Sequence, residues 1–161
     1  MIFVTVGTDG PFDRLITSVD RWAGETGRTD VFAQIGRSLF KPQHLEYVNF
    51  LEPGEFRDRF ARASVVVSHA GMGTILSALH HRKPILVMPR RASLGEQRNE
   101  HQLATARHLS GMGKIVVAAD EEDLVSRLGH LDALVARDPI GPFAQPELVA
   151  AIRDFIQRNG R

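Results

Sequence analysis

Short apolar runs, each followed by a stretch of helical periodicity, constrain this chain more than any other feature. Ile2–Val6, Val31–Ile35, Val65–Ser68, Ile85–Met88 and Ile115–Ala118 are rich in β-branched residues and too short for helices, and Glu46–Asn49 is a more polar run of the same length. Between them Phe12, Leu15, Ile16, Val19 and Trp22 recur at helical spacing, and Phe56 and Phe60 share one face of a helix predicted over Pro53–Ala63. Further helices are predicted over Gly73–His81, Asn99–Leu109 and Glu121–Leu128. Strands that are apolar throughout are buried on two faces. Alternated with amphipathic helices, they predict an α/β fold: a Rossmann-like three-layer domain around a parallel sheet.

The 161 residues suit a single domain over 1–161. A connector, Arg137–Gln145, precedes a last helix at about 146–158, with Leu148, Ile152 and Phe155 on one stripe. The net charge of +1 gives no electrostatic footprint for nucleic acid. The absence of cysteine excludes a disulfide scaffold and any thiolate metal site. No apolar run approaches the length of a membrane span, and the run after Met1 is too short for a signal peptide. The expected location is therefore cytoplasmic.

In a doubly wound sheet, ligands bind beyond the carboxyl ends of the strands. Thr8, Ser68-His69 and Pro89-Arg90 all fall at such ends. One of them opens Ser68-His69-Ala70-Gly71-Met72-Gly73-Thr74, where a β-branched strand stops at small residues and a helix begins. Such a turn leaves N–H groups open at a helix N-terminus, and glycines let a phosphate come close. The turn lacks the dinucleotide GxGxxG pattern and the Lys-Ser/Thr of a Walker loop, and Met72 stands where a nucleophile elbow needs serine. Without a ligand, the same residues are simply a tight strand-to-helix turn.

A second polar cluster, Gly95-Glu96-Gln97-Arg98-Asn99-Glu100-His101-Gln102, offers carboxylate, imidazole and amide groups suited to sugar hydroxyls. It also reads as a helix start, with Asn99 as N-cap and Glu100 in the first turn. Gln102 is the preferred sugar contact. Arg90 either neutralises phosphate or is a solvated loop charge. Thr8 either reaches the phosphate or is a turn residue. His69 and Asp9 are the candidate bases, though His69 reads equally as a turn-fixing imidazole, and the sequence singles out no catalytic residue.

The motifs MIFVTVGT with PFDRLI, SHAGMGT, KPILVMPR and GEQRNEHQLATA, in this order and spacing, resemble the C-terminal, donor-binding half of GT-B glycosyltransferases of family 28 over roughly residues 1–120. The pattern is most similar to the two-component branch, which includes the dolichol-pathway GlcNAc transferase and bacterial exopolysaccharide transferases. The resemblance implies a UDP-sugar as donor substrate, with no metal or other cofactor. It implies a membrane-associated subunit that brings a lipid-diphosphate-linked sugar acceptor, and peripheral attachment to the membrane through that partner. UDP-sugar contacts are then expected from Thr8, Ser68, His69, Gly71, Met72, Gly73, Thr74, Arg90, Glu96, Glu100, His101 and Gln102. Many family members hold the ribose with a glutamate where this chain has Ser77, and Glu96 is the candidate substitute. A non-catalytic nucleotide-sugar-binding or regulatory module is the alternative, and an isolated half with an exposed cleft could self-associate.

Overall fold

The computed structural model describes residues 1–139 and 146–159. Six strands form one parallel sheet: β1 (Ile2–Thr5), β2 (Val31–Gln34), β3 (Glu46–Val48), β4 (Val65–His69), β5 (Ile85–Met88) and β6 (Val116–Val117). Their spatial order is β3-β2-β1-β4-β5-β6, with Ile2 in register with both Val31 and Val65. The chain winds outward to one side from β1 and then to the other from β4, so the order reverses between these two strands.

The six helices are α1 (Asp13–Thr26), α2 (Pro53–Arg62), α3 (Met72–His80), α4 (His101–Gly111), α5 (Glu121–Leu128) and α6 (Pro146–Asn159). Residues alternate across the strands. Ile2, Val4, Val31, Ala33, Val65, Val67, Leu86 and Met88 meet α1 and α5 on one face. Phe3, Phe32, Val66, Ile85 and Val87 meet Phe60, Ile75, Leu79, Ala106 and Leu109 from α2, α3 and α4 on the other. Phe3 is the hub of the second layer, with Phe56 and Phe60 packed edge-on at ring-centroid distances of 5.4 and 6.1 Å.

Local chemistry fixes the helix ends. Pro53 opens α2, where its fixed φ and missing N–H cost nothing. Glu55 reaches back to the Glu52 N–H at 3.3 Å. At the other end of α2 the Lys83 ammonium donates to Ala63 O at 2.8 Å. Asp120 caps α5 through the Asp123 N–H, 2.9 Å. The fourth helix departs from expectation: it starts at His101 with Glu100 as N-cap residue, and Asn99 Oδ1 instead accepts from the His101 N–H at 3.2 Å. The last strand is shorter than Ile115–Ala118, leaving only Val116–Val117 paired with β5. On α6, Val149, Ile152 and Phe155 are exposed, whereas the side chain of Leu148 and the connector from residue 140 on lie outside the described residues. No helix among the described residues is long and apolar enough to cross a membrane.

Candidate functional site

Towards the carboxyl ends of the strands, the sheet face under α2 and α3 turns from apolar to polar. Thr5 is in register with Gln34 on one side and Ser68 on the other, and all three are buried. Burial obliges such groups to pair. Thr5 Oγ1 accepts from the Gly7 N–H at 3.2 Å and from Gln34 Nε2 at 3.4 Å. Gln34 Oε1 accepts from the Leu51 N–H at 3.1 Å, and Ser68 Oγ donates to His69 O at 2.9 Å. This row forms a pinned floor at the reversal point of the sheet.

Above the floor opens a cavity of about 580 Å³. Gly7, Thr8 and Asp9 line it from the loop after β1, and His69, Gly71, Gly73, Thr74 and Ser77 from the end of β4 and α3. Gln34 lines it from β2, and Leu51, Pro53, Phe56 and Arg57 from the entry and first turns of α2. Its volume and mixed lining suit a small-molecule ligand. Gly71 is the N-cap residue of α3, so the unpaired N–H groups of that helix begin at the cavity wall.

His69 organises the turn. Its imidazole lies between Gly7 and Gly71, close enough that a Cβ on Gly7 would come within 2.7 Å of Cε1. A Cβ on Gly71 would overlap Nε2 and come within 2.8 Å of Cε1. Gly7 also has φ +74°, the left-handed region that glycine favours. Gly71 has φ −80°, so it is glycine for room and not for backbone angle. Burial, reinforced by the Arg90 guanidinium and opposed by Thr5 and Asp9, lowers the His69 pKa to about 4. The ring is therefore neutral at pH 7, and its buried Nδ1 has no hydrogen-bond partner among the described residues.

The structure splits the expected site in two. Thr8, His69, Gly71, Gly73 and Thr74 line the cavity, as does Asp9. Ser68 belongs to the floor beneath it, and Met72 is exposed at the start of α3 without lining it. Arg90 is neither a solvated charge nor free for phosphate. It is fully buried, and its guanidinium donates to Val6 O at 3.0 Å and Gly10 O at 2.6 Å, 5.2 Å from the Phe12 ring centroid.

The second cluster has taken structural work. Glu96, the candidate substitute for a ribose carboxylate at Ser77, receives Arg14 Nε at 2.8 Å, Arg14 Nη2 at 2.9 Å and the Arg91 N–H at 2.9 Å, and it does not line the cavity. Glu100 accepts from the Ala92 and Ser93 N–H groups at 3.1 and 3.3 Å. Gln102 is buried, and its Oε1 accepts from the Ala70 N–H at 3.2 Å and the Arg90 N–H at 3.1 Å, bridging the exits of β4 and β5. Of the four expected sugar contacts in this cluster, His101 alone stays open to solvent without a side-chain bond among the described residues. Sequence reasoning missed Gln34, Leu51, Pro53, Phe56 and Arg57 as cavity residues, because a strand end and an unremarkable helix start carry no motif.

Known proteins agree with this architecture. Residues 1–134 match the model of the glycosyltransferase family 28 C-terminal domain. The human UDP-N-acetylglucosamine transferase subunit ALG13 is 32% identical over 124 residues, covering 71% of this chain and 10% of that protein. The subunit of the same name from Yarrowia lipolytica is 29% identical over 137 residues, covering 77% of this chain and 67% of that one. The chain thus spans about a tenth of the human relative's length. Among solved structures, the NMR structure of ALG13 superposes with a TM-score of 0.59 at 19% identity, over 86% of this chain and 89% of that one. The kitacinnamycin glycosyltransferase gives 0.61 at 19% identity, over 82% and 34% respectively. At such identities the two structures attest the fold, and the match over residues 1–134 attests the lineage: the chain belongs to the glycosyltransferase family 28 C-terminal domains.

Proposed function

We propose that this chain is the donor-binding subunit of a two-component glycosyltransferase. It would move a hexosyl group from a UDP-sugar to a lipid-diphosphate-linked acceptor, in exopolysaccharide or glycolipid synthesis, with a membrane-associated partner supplying the acceptor half. The observation that carries the reading is the cavity at the sheet's reversal point, with the α3 N-terminus opening onto it at Gly71. The diphosphate sits against Gly71, Gly73 and Thr74, beside Gly7 and Thr8. The base packs on Leu51, Pro53 and Phe56. The transferred sugar projects along the rim towards His101.

Transfer requires the acceptor hydroxyl to attack the anomeric carbon while the bond to the β-phosphate oxygen breaks, leaving UDP. Fixed N–H dipoles at the helix end stabilise the charge gathering on the leaving diphosphate. His69 stays neutral with its pKa near 4, so it shapes the turn and does not store a proton at pH 7. Asp9 is the cavity's carboxylate and the candidate base within this chain; otherwise the partner provides one. A second chain is also supported by the exposed apolar residues Val149, Ile152 and Ile156 on α6.

The test is calorimetric titration with UDP, followed by a transfer assay on lipid-linked acceptor after co-purification with a candidate membrane-anchored partner chain. Binding of UDP, unaffected by EDTA or magnesium, and transfer only with the partner are expected. An equal preference for ATP or NAD would refute the reading. Binding without transfer in the presence of every candidate partner would favour a regulatory module.

A further inference from the structure

Beside α4 lies a second cavity, of about 420 Å³, that shares no lining residue with the first. Leu103, Arg107 and Ser110 line it from one face of α4, four and three residues apart, so it runs about 10 Å along that helix. Arg91 lines it from the exit of β5, and Val117 from the edge strand β6. The floor of Leu103, Ala106 and Val117 is apolar, and no carboxylate among the described residues lines the cavity. Two guanidiniums over a low-dielectric floor, with no acid beside them, concentrate positive potential there.

Neither guanidinium is used up by the fold. Arg107 is exposed and makes no hydrogen bond or ion pair among the described residues. Arg91 donates through Nη2 to Ala119 O, which holds its head group at the cavity, while its Nε is buried without a partner among the described residues. A buried donor calls for an acceptor, and a guanidinium offers donors only. Planar guanidiniums match phosphate oxygens in pairs, and two of them suit a diphosphate better than the single charge of a carboxylate. The apolar floor in turn suits a hydrocarbon tail.

We propose that this cavity binds a lipid diphosphate, with the phosphates at Arg91 and Arg107 and the first carbons of the tail on Leu103, Ala106 and Val117. Arg91 and Ala119 stand at strand exits, on the same rim as the candidate nucleotide cavity. β6 is two strands from β4, about 10 Å across the sheet, and a sugar carried on that diphosphate extends from one cavity towards the other. The donor-binding chain then grips the acceptor's lipid end itself, a role that rests on the proposed function; the binding rests on the cavity's own residues.

The experiment is calorimetric titration of the full chain with farnesyl diphosphate, inorganic diphosphate and laurate, with and without saturating UDP. Farnesyl diphosphate should bind at least about tenfold more tightly than either of the others, and equally well with UDP present. Arg107→Met should weaken it about tenfold, the worth of a hydrogen bond to a charged group, with an unchanged unfolding midpoint because the residue is exposed. Leu103→Ser should weaken farnesyl diphosphate and leave inorganic diphosphate unaffected. Inorganic diphosphate or laurate bound as tightly, displacement by UDP, or an Arg107→Met variant indistinguishable from wild type would each overturn the proposal. Farnesyl diphosphate binding in a chain that ignores UDP would support the cavity and overturn the nucleotide-site reading. UDP binding without farnesyl diphosphate binding would overturn the lipid-diphosphate site alone.

Discussion

Gly71→Ala tests the packing on which the site depends. The added Cβ overlaps His69 Nε2 and approaches Cε1 and Cδ2 at 2.8 and 2.9 Å, so the imidazole must move. It has little room, because the Gly7 backbone lies against the same ring and the residue is only 8% exposed. Overpacking of this kind costs about 1–3 kcal/mol, or a drop of roughly 2–10 °C in unfolding midpoint for a domain of this size. The backbone angle adds nothing, since φ at Gly71 suits any residue. The decisive comparison is a double-mutant cycle with His69→Ala, followed by thermal unfolding and UDP titration. Removing the ring should recover most of the stability lost by Gly71→Ala, giving a coupling of about 1–2 kcal/mol. UDP affinity should stay low in the double variant, because the new methyl still stands where the phosphate approaches. Strictly additive stabilities would refute the wedge described for His69. Full UDP affinity in the double variant would refute phosphate binding at Gly71.

The pH dependence follows from the same ring. His69 has its pKa lowered from 6.5 to about 4, so its contribution is complete above pH 6.5 and is lost as pH falls towards 4. Stability should drop by about 2 kcal/mol between pH 6.5 and 5 in the wild type, and clearly less in His69→Gln, when both are unfolded in urea. A parallel decline in the two proteins would contradict this. Arg90→Met leaves Val6 O and Gly10 O without their donor and should cost about 2–4 kcal/mol by the same assay; a neutral substitution would show that Arg90 is not a cross-link. Gln102→Ala strands the Ala70 and Arg90 N–H groups and should lower stability by about 2–5 kcal/mol, weakening UDP and UDP-sugar together. Loss of UDP-sugar affinity alone would return Gln102 to the role of a sugar ligand.

Strand and helix placement was legible because period and burial coincide in these segments. Val65–Val67 and Ile85–Met88 are apolar on both faces, as interior strands are. The strand-to-helix turn was legible for a related reason: the β-branched run stops at small residues, and α3 starts at Met72, directly after Gly71. The polar cluster was less legible because its chemistry is ambiguous in one dimension. Carboxylates and amides suited to a sugar are equally suited to orphan backbone N–H groups, and Glu96, Glu100 and Gln102 each found such groups within the fold. Arg90 was illegible for the converse reason. Its acceptors, Val6 O and Gly10 O, lie more than seventy residues away in sequence and exist as a pair only after the sheet closes. The wall formed by Leu51, Pro53, Phe56 and Arg57 depends on where α2 lands beside β2, which local periodicity does not specify.

β1 lies at the centre of the sheet, its residues paired on one side with Val31–Gln34 and on the other with Val65–Ser68. In a growing chain the first partner follows within about thirty residues, whereas the second arrives more than sixty residues after Ile2. Parallel pairing over such separations carries a large loop-closure cost and slows folding. Until β4 emerges, one edge of β1 is an open apolar template of the kind that recruits other chains. The cavity straddles this same late seam, so under the proposed function a nucleotide would have no half-built site to bind, and its binding energy would act wholly on the completed sheet. Nucleotide added during refolding should therefore leave the folding rate unchanged and slow unfolding.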